Sequence, residues 1–215
     1  MSTQKTGFFV ILLVLQAGRS FADDPAHACS SARPTEALAA VDSLLEHMKQ
    51  RFERVEDEAK AKYDQKKPVE DPNRDKKILE SAATNARKAS IDGALAKSFV
   101  QAQIDAGKLM QQKLFERWKK ELVDGYDDTQ ELENETWPQL DLLDEQLLND
   151  FAKISRASKC VNFCEALNAR VPEILGKAAE ADILRLALKP LLEMSTVGDD
   201  TGCCHLNLDL DNKSN

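Results

Sequence analysis

Seven apolar residues recur at alternating steps of three and four along the first third of the chain: Leu38, Val41, Leu45, Met48, Phe52, Val55 and Ala59. That rhythm lays them on one stripe of a helix, the seam by which a helix packs against other helices. The next step falls on Lys62, where an apolar residue is expected. Arg51 lies eleven residues earlier, about three helical turns, so both cations project from nearly the same side. PVEDPNRD then breaks the helix at Pro68 and opens another. Asp71 has N-cap chemistry, Pro72 sits at the first helical position, and Arg74 and Asp75 follow in the first turn. Two inward cations beside a helix start carrying an acid, a base and an acid suit a small polyanion held between helices.

The remaining pattern is helical throughout. The first helix is expected from Pro34 to about Lys66 and the second from about Pro72 to Lys88, with Ile78, Leu79, Ala82, Ala83 and Ala86 inward. A third is expected from about Ala94 to Val123, burying Leu95, Phe99, Ala106, Met110, Leu114 and Trp118. Beside that face Gln103, Gly107 and Gln111 form one polar and glycine track at four-residue spacing. After an acidic connector, Thr136-Trp-Pro-Gln139 reads as a capping box. It opens a fourth helix with Leu140, Leu143, Leu147, Phe151 and Ile154 inward. Weaker helices follow at about 159–175 and 178–194. No convincing strand pattern occurs, so the fold class is all-α, a bundle of about six helices.

The N-terminus carries Lys5, an apolar run from Phe8 to Leu15 and the small-x-small site Ser20-Phe21-Ala22. This reads as a secretory signal cleaved after Ala22, since the apolar run is too short to span a bilayer. The expected domains are the signal at 1–22, a helical domain at 23–195 and a cysteine-containing tail at 196–215. Within the domain, an active-site half spans about 35–122 and a second helical half about 136–195. Lys5 and Arg19 leave with the signal, so 27 of the 29 basic residues face 37 acidic ones. Nucleic acid and anionic membrane surfaces are therefore unexpected partners, and any anion site must be a local cationic pocket. In an exported chain Cys29, Cys160, Cys164, Cys203 and Cys204 are expected to form disulfides, with one left over. A Cys/His zinc site with His205 is the less favoured alternative. His27, His47 and His205 read as surface residues, and Trp118 and Trp137 as packing residues.

Arg51, Lys62, Asp71, Arg74 and Gln111 together resemble the active-site signature of the all-helical chorismate mutases. Spacings of eleven, nine and three connect the first four, and PVEDPNR and FVQAQIDAGKLMQQ are the most specific segments. The likeness covers about residues 38–120. With its leader, cysteines and extra C-terminal helices, the chain is similar to their secreted subclass. The resemblance implies an isomerase that rearranges chorismate to prephenate, a step toward aromatic amino acids, with no cofactor and no metal. It implies that Arg51 binds a substrate carboxylate, while Lys62 and Gln111 donate to the ether oxygen. Because the Gln111 amide is neutral, activity is expected to persist at neutral pH. Asp71, through its backbone, and Asp75 hold the ring hydroxyl, and Arg74 steadies the helix start. Gly107 stands where a hydroxyl residue contacts a carboxylate. The family also places a second carboxylate-binding arginine where Trp137 stands, and no Lys or Arg occurs between Lys120 and Lys153. Arg156, Arg117 and Arg54 are candidates for that cation. The alternative is an exported helical interaction protein on the same scaffold, with little or no catalysis. A homodimer is compatible with either.

Overall fold

The computed structural model describes residues 34–126, 129–157 and 163–194, and these form helices joined by short links. In chain order they are α1 (Pro34–Asp64), α2 (Pro72–Ala89), α3 (Gly93–Lys120), α4 (Trp137–Ala157), α5 (Phe163–Ile174) and α6 (Ala181–Met194). No strand occurs among the described residues, so the all-α expectation holds. The long α1 packs against α4, α3 and α5, α2 against α3 and α4, and α6 against α3. The expected signal peptide, the C-terminal tail and every cysteine except Cys164 lie outside the described residues, as do His27 and His205. No described helix is long and apolar enough to cross a membrane.

The alternating stripe on α1 is the core seam. Val41, Leu45, Met48, Phe52, Val55 and Ala59 are buried, whereas Leu38 is 41% exposed. Phe99 of α3 stacks on Phe151 of α4 with ring centroids 4.2 Å apart, a contact worth about 0.5–1.5 kcal/mol beyond area burial. Ala82 and Ala86 of α2, the expected inner residues of α3 except Leu95, and those of α4 are buried. Leu95, Ile78 and Leu79 are half-buried against the same core.

Three helices end alike. Lys66, Ser90 and Leu122 adopt left-handed backbone angles with φ of 53°, 55° and 56°. Behind each, the next amide reaches back over the last turn: Lys67 N to Lys62 O, Ile91 N to Ala86 O, Val123 N to Trp118 O. This is the Schellman closure, which normally places glycine at the left-handed position. Without glycine there, α1 and α3 read two to three residues too long in the sequence.

The start of α4 differs from the expected capping box. Thr136 Oγ1 is buried and finds no partner among the described residues. A π-helical turn, Leu132–Thr136, precedes the helix and runs straight into it. Its amides are satisfied one turn earlier, Glu135 N and Thr136 N both donating to Glu131 O while Glu131 N donates to the Glu135 carboxylate. The wider turn leaves Thr136 nothing to cap and brings the Trp137 indole within hydrogen-bond reach of Glu58 on α1.

Candidate active site

One narrow cleft between α1, α2, α3 and α4, of about 40 Å³, is lined by Arg51, Lys62, Asp71, Arg74, Asp75, Gly107 and Gln111. All seven residues singled out in the sequence thus share one site. Glu58, Lys108 and Asp144 line it as well. Sequence reasoning missed these three, although Arg51, Val55, Glu58 and Lys62 step by four, three and four along α1 and so share a face.

Each wall is positioned by its own helix. Arg51 is 5% exposed and Lys62 4%, so neither is the solvated charge that an isolated lysine or arginine on a helix usually is. Arg51 Nε donates to Asp144 Oδ1 at 2.7 Å, and its Nη1 donates to the Gln103 carbonyl at 3.1 Å. These two contacts fix the guanidinium plane. Gly107 lies against it: a Cβ there would sit 3.4 Å from Arg51 Nη1, in van der Waals contact. Lys62 Nζ donates to Val69 O at 3.0 Å, tying the end of α1 to the loop that leads into α2. At the start of α2 the Asp71 carboxylate caps the helix, accepting from Arg74 N at 3.0 Å. Arg74 turns to α4, where Nη2 donates to Asp141 at 2.9 Å and the guanidinium lies 4.8 Å from the Trp137 ring centroid.

Glu58 is the central acceptor. It is 6% exposed. Its Oε1 lies 3.1 Å from Lys62 Nζ and accepts from Trp137 Nε1 at 3.0 Å, while Oε2 accepts from Gln111 Nε2 at 3.0 Å. Trp137 is therefore more than a packing residue: its indole N–H braces a buried carboxylate. Gln111 Oε1 and Asp144 Oδ2 are buried without a partner among the described residues, so the cleft has acceptors to offer as well as cations.

The three candidates for a further cation do not line the cleft. Arg156 donates to Ala89 O, Arg54 pairs with Asp57 and contacts Gln139, and Arg117 lines a different surface hollow beside α6. Lys108 lines it instead, paired with Asp75 at 2.6 Å and Glu70 at 2.5 Å. Burial opposes its charge, but the hydrogen bonds to Asp75 and Glu70 outweigh that and hold its ammonium above the usual lysine range. His47 is likewise not an idle surface residue. Its Nδ1 lies 2.9 Å from the buried Asp150, which also accepts from Ser43 at 2.7 Å, and this joins α1 to α4 away from the cleft. No group of His, Cys, Asp and Glu among the described residues could hold a metal ion.

Comparison with known proteins agrees with this geometry. Residues 37–112 match the model of the family chorismate mutase type II. No curated protein matches the chain. Among solved structures, the chorismate mutase from Burkholderia phymatum superposes with a TM-score of 0.65 at 20% identity, over 72% of this chain and 97% of that one. The chorismate mutase from Burkholderia thailandensis gives 0.63 at 26% identity, over 71% and 98%. Over residues 37–112, the stretch that supplies all seven sequence-predicted site residues, the chain thus matches the chorismate mutase type II family, on a helical fold similar to that of both bacterial enzymes.

Proposed function

We propose that the chain is an isomerase, a chorismate mutase that converts chorismate to prephenate in a cleft built by one chain. The observation that carries this reading is the convergence of Arg51, Lys62, Arg74, Lys108 and Gln111 on one narrow cleft, in a segment that matches the family. The rearrangement is intramolecular: one carbon–oxygen bond breaks as one carbon–carbon bond forms, and no protein atom is attacked. The protein therefore acts by holding the folded conformer and stabilising charge that develops on the ether oxygen. In this reading Arg51 takes one carboxylate with a guanidinium already fixed in plane. Lys62 and Gln111 donate to the ether oxygen, and Asp71 and Asp75 hold the ring hydroxyl. Lys108 and Arg74 supply the second carboxylate partner in place of the arginine that Trp137 displaces. The leader sequence supports export, and with it the secreted subclass.

One observation favours the alternative of an exported interaction protein with weak catalysis: every cation of the cleft already has a carboxylate partner. Turnover of chorismate by the purified chain separates the two readings. The enzyme reading expects disappearance of chorismate well above the uncatalysed rate, and a loss of at least about 100-fold in Arg51→Ala with unchanged helical content by circular dichroism. A chain no faster than background contradicts it, and equal rates in wild type and Arg51→Ala mean that the reaction occurs elsewhere.

A further inference from the structure

We propose that Glu58 is the proton-sensitive gate of this cleft, its carboxylate competing with an anionic ligand so that ligand and proton enter together. The identity of the ligand rests on the functional reading above; the geometry does not. Glu58 engages donors from three helices, Lys62 of α1, Gln111 of α3 and Trp137 of α4. Two of these are the groups that a developing oxyanion requires. The site's own carboxylate therefore occupies the place of the anion it would bind. With Glu58 and Lys62 both buried, a second negative group brought against Lys62 meets like-charge repulsion from Glu58 worth orders of magnitude in affinity.

A proton on Glu58 removes that repulsion, and Gln111 is arranged to tolerate it. Its Nε2 faces the carboxylate, while its Oε1 is buried without a partner among the described residues. One half-turn of the amide exchanges the two atoms: Oε1 then accepts the carboxyl proton, and Nε2 is released for the ligand. No comparable exchange is open to Lys62, which only donates.

The other charged groups lining the cleft with Glu58 are Arg51 of α1, Asp71, Arg74 and Asp75 of α2, Lys108 of α3 and Asp144 of α4. Arg51 is matched by Asp144, Arg74 by Asp141, and Lys108 by Asp75 and Glu70. Asp71 is engaged as a helix cap. Lys62 is thus the cation that Glu58 neutralises, and Glu58 is the acid whose protonation returns it to a ligand.

The test combines the pH profile of chorismate turnover by the full chain and by Glu58→Gln with calorimetry of prephenate binding. The calorimetry is run near pH 7 in two buffers of different ionisation enthalpy. Wild-type kcat/KM is expected to be at least about tenfold higher at pH 5 than at pH 8, while Glu58→Gln is flat across that range and exceeds wild type at pH 8. Prephenate binding should take up about one proton in wild type and none in the variant. A flat wild-type profile, a slope retained in Glu58→Gln, or wild-type binding without proton uptake overturns the gate. No turnover at any pH overturns the functional reading instead, and proton uptake by wild type on prephenate binding then decides the role of Glu58 alone. Neither turnover nor binding overturns both.

Discussion

Lys62 was legible as a cleft residue because a strict seam position carrying a charge is costly unless something inside accepts it, and Arg51 through its eleven-residue spacing from Lys62. Glu58 was not, although it lies on the same face, because an acid beside a core position usually marks the edge of a solvated surface. Its meaning depends on Gln111 and Trp137, residues 53 and 79 positions away, and no helical rhythm foretells which side chains of other helices will meet it. Lys108 was obscured in the same way, since adjacency to Gly107 says nothing about whether a flexible side chain turns inward. Gly107 itself can be tested directly. The nearest atoms to an added Cβ, Arg51 Nη1 and a Val55 methyl, lie at 3.4 Å, ordinary contact. Gly107→Ala should therefore raise stability by about 0.5–1 kcal/mol through helix propensity, read from the denaturant midpoint. Gly107→Val should instead lower turnover, because its γ-carbons press on the Arg51 guanidinium. A destabilised alanine variant would mean that α3 lies closer to α1 than described.

At the level of elements, the helices were legible almost to their ends, and the errors share a cause. Where α1 and α3 close on lysine and leucine in the left-handed region, no glycine marks the last turn. Where a π-helical turn replaces a cap, the sequence offers a misleading signal. Leu122 is the clearest case, at φ 56° and 87% exposed. It bears the steric penalty of that backbone region, about 1–2 kcal/mol, and gains almost no burial in return. Leu122→Gly is expected to stabilise the protein by about 1 kcal/mol, seen as an upward shift in thermal midpoint with unchanged helical content. A downward shift would show that the side chain contributes packing. The π-helical turn at Leu132–Thr136 matters for function as well, since it sets the phase in which α4 presents Trp137 to Glu58 and Leu140 and Asp144 to the cleft.

Across the whole molecule, fold class and the convergence of seven named residues followed from pattern and resemblance, but charge balance did not. The acidic excess argued for a local cationic pocket, and the cleft is instead a set of matched pairs. Its two expected halves are also interlocked, since α4 of the second half packs along α1 of the first and supplies one wall. The far side is held by a simpler contact. Lys113 of α3 bridges Asp182 and Glu180 beside α6 at 2.6 Å each, and its hydrogen bond keeps the Asp182 carboxyl below the usual aspartate range. That contribution is present above the ordinary aspartate titration and is lost as pH falls through the lowered value. Solvent exposure keeps it small. The central claim is that cationic and amide groups from separate helices act together on one doubly charged small molecule. Its most direct test is prephenate formation by the chain from Asp23 onward and by its Lys62→Ala variant. Measurable turnover is expected in the first and a loss of about 100-fold or more in the second, with both equally helical. Equal rates in the two would contradict it.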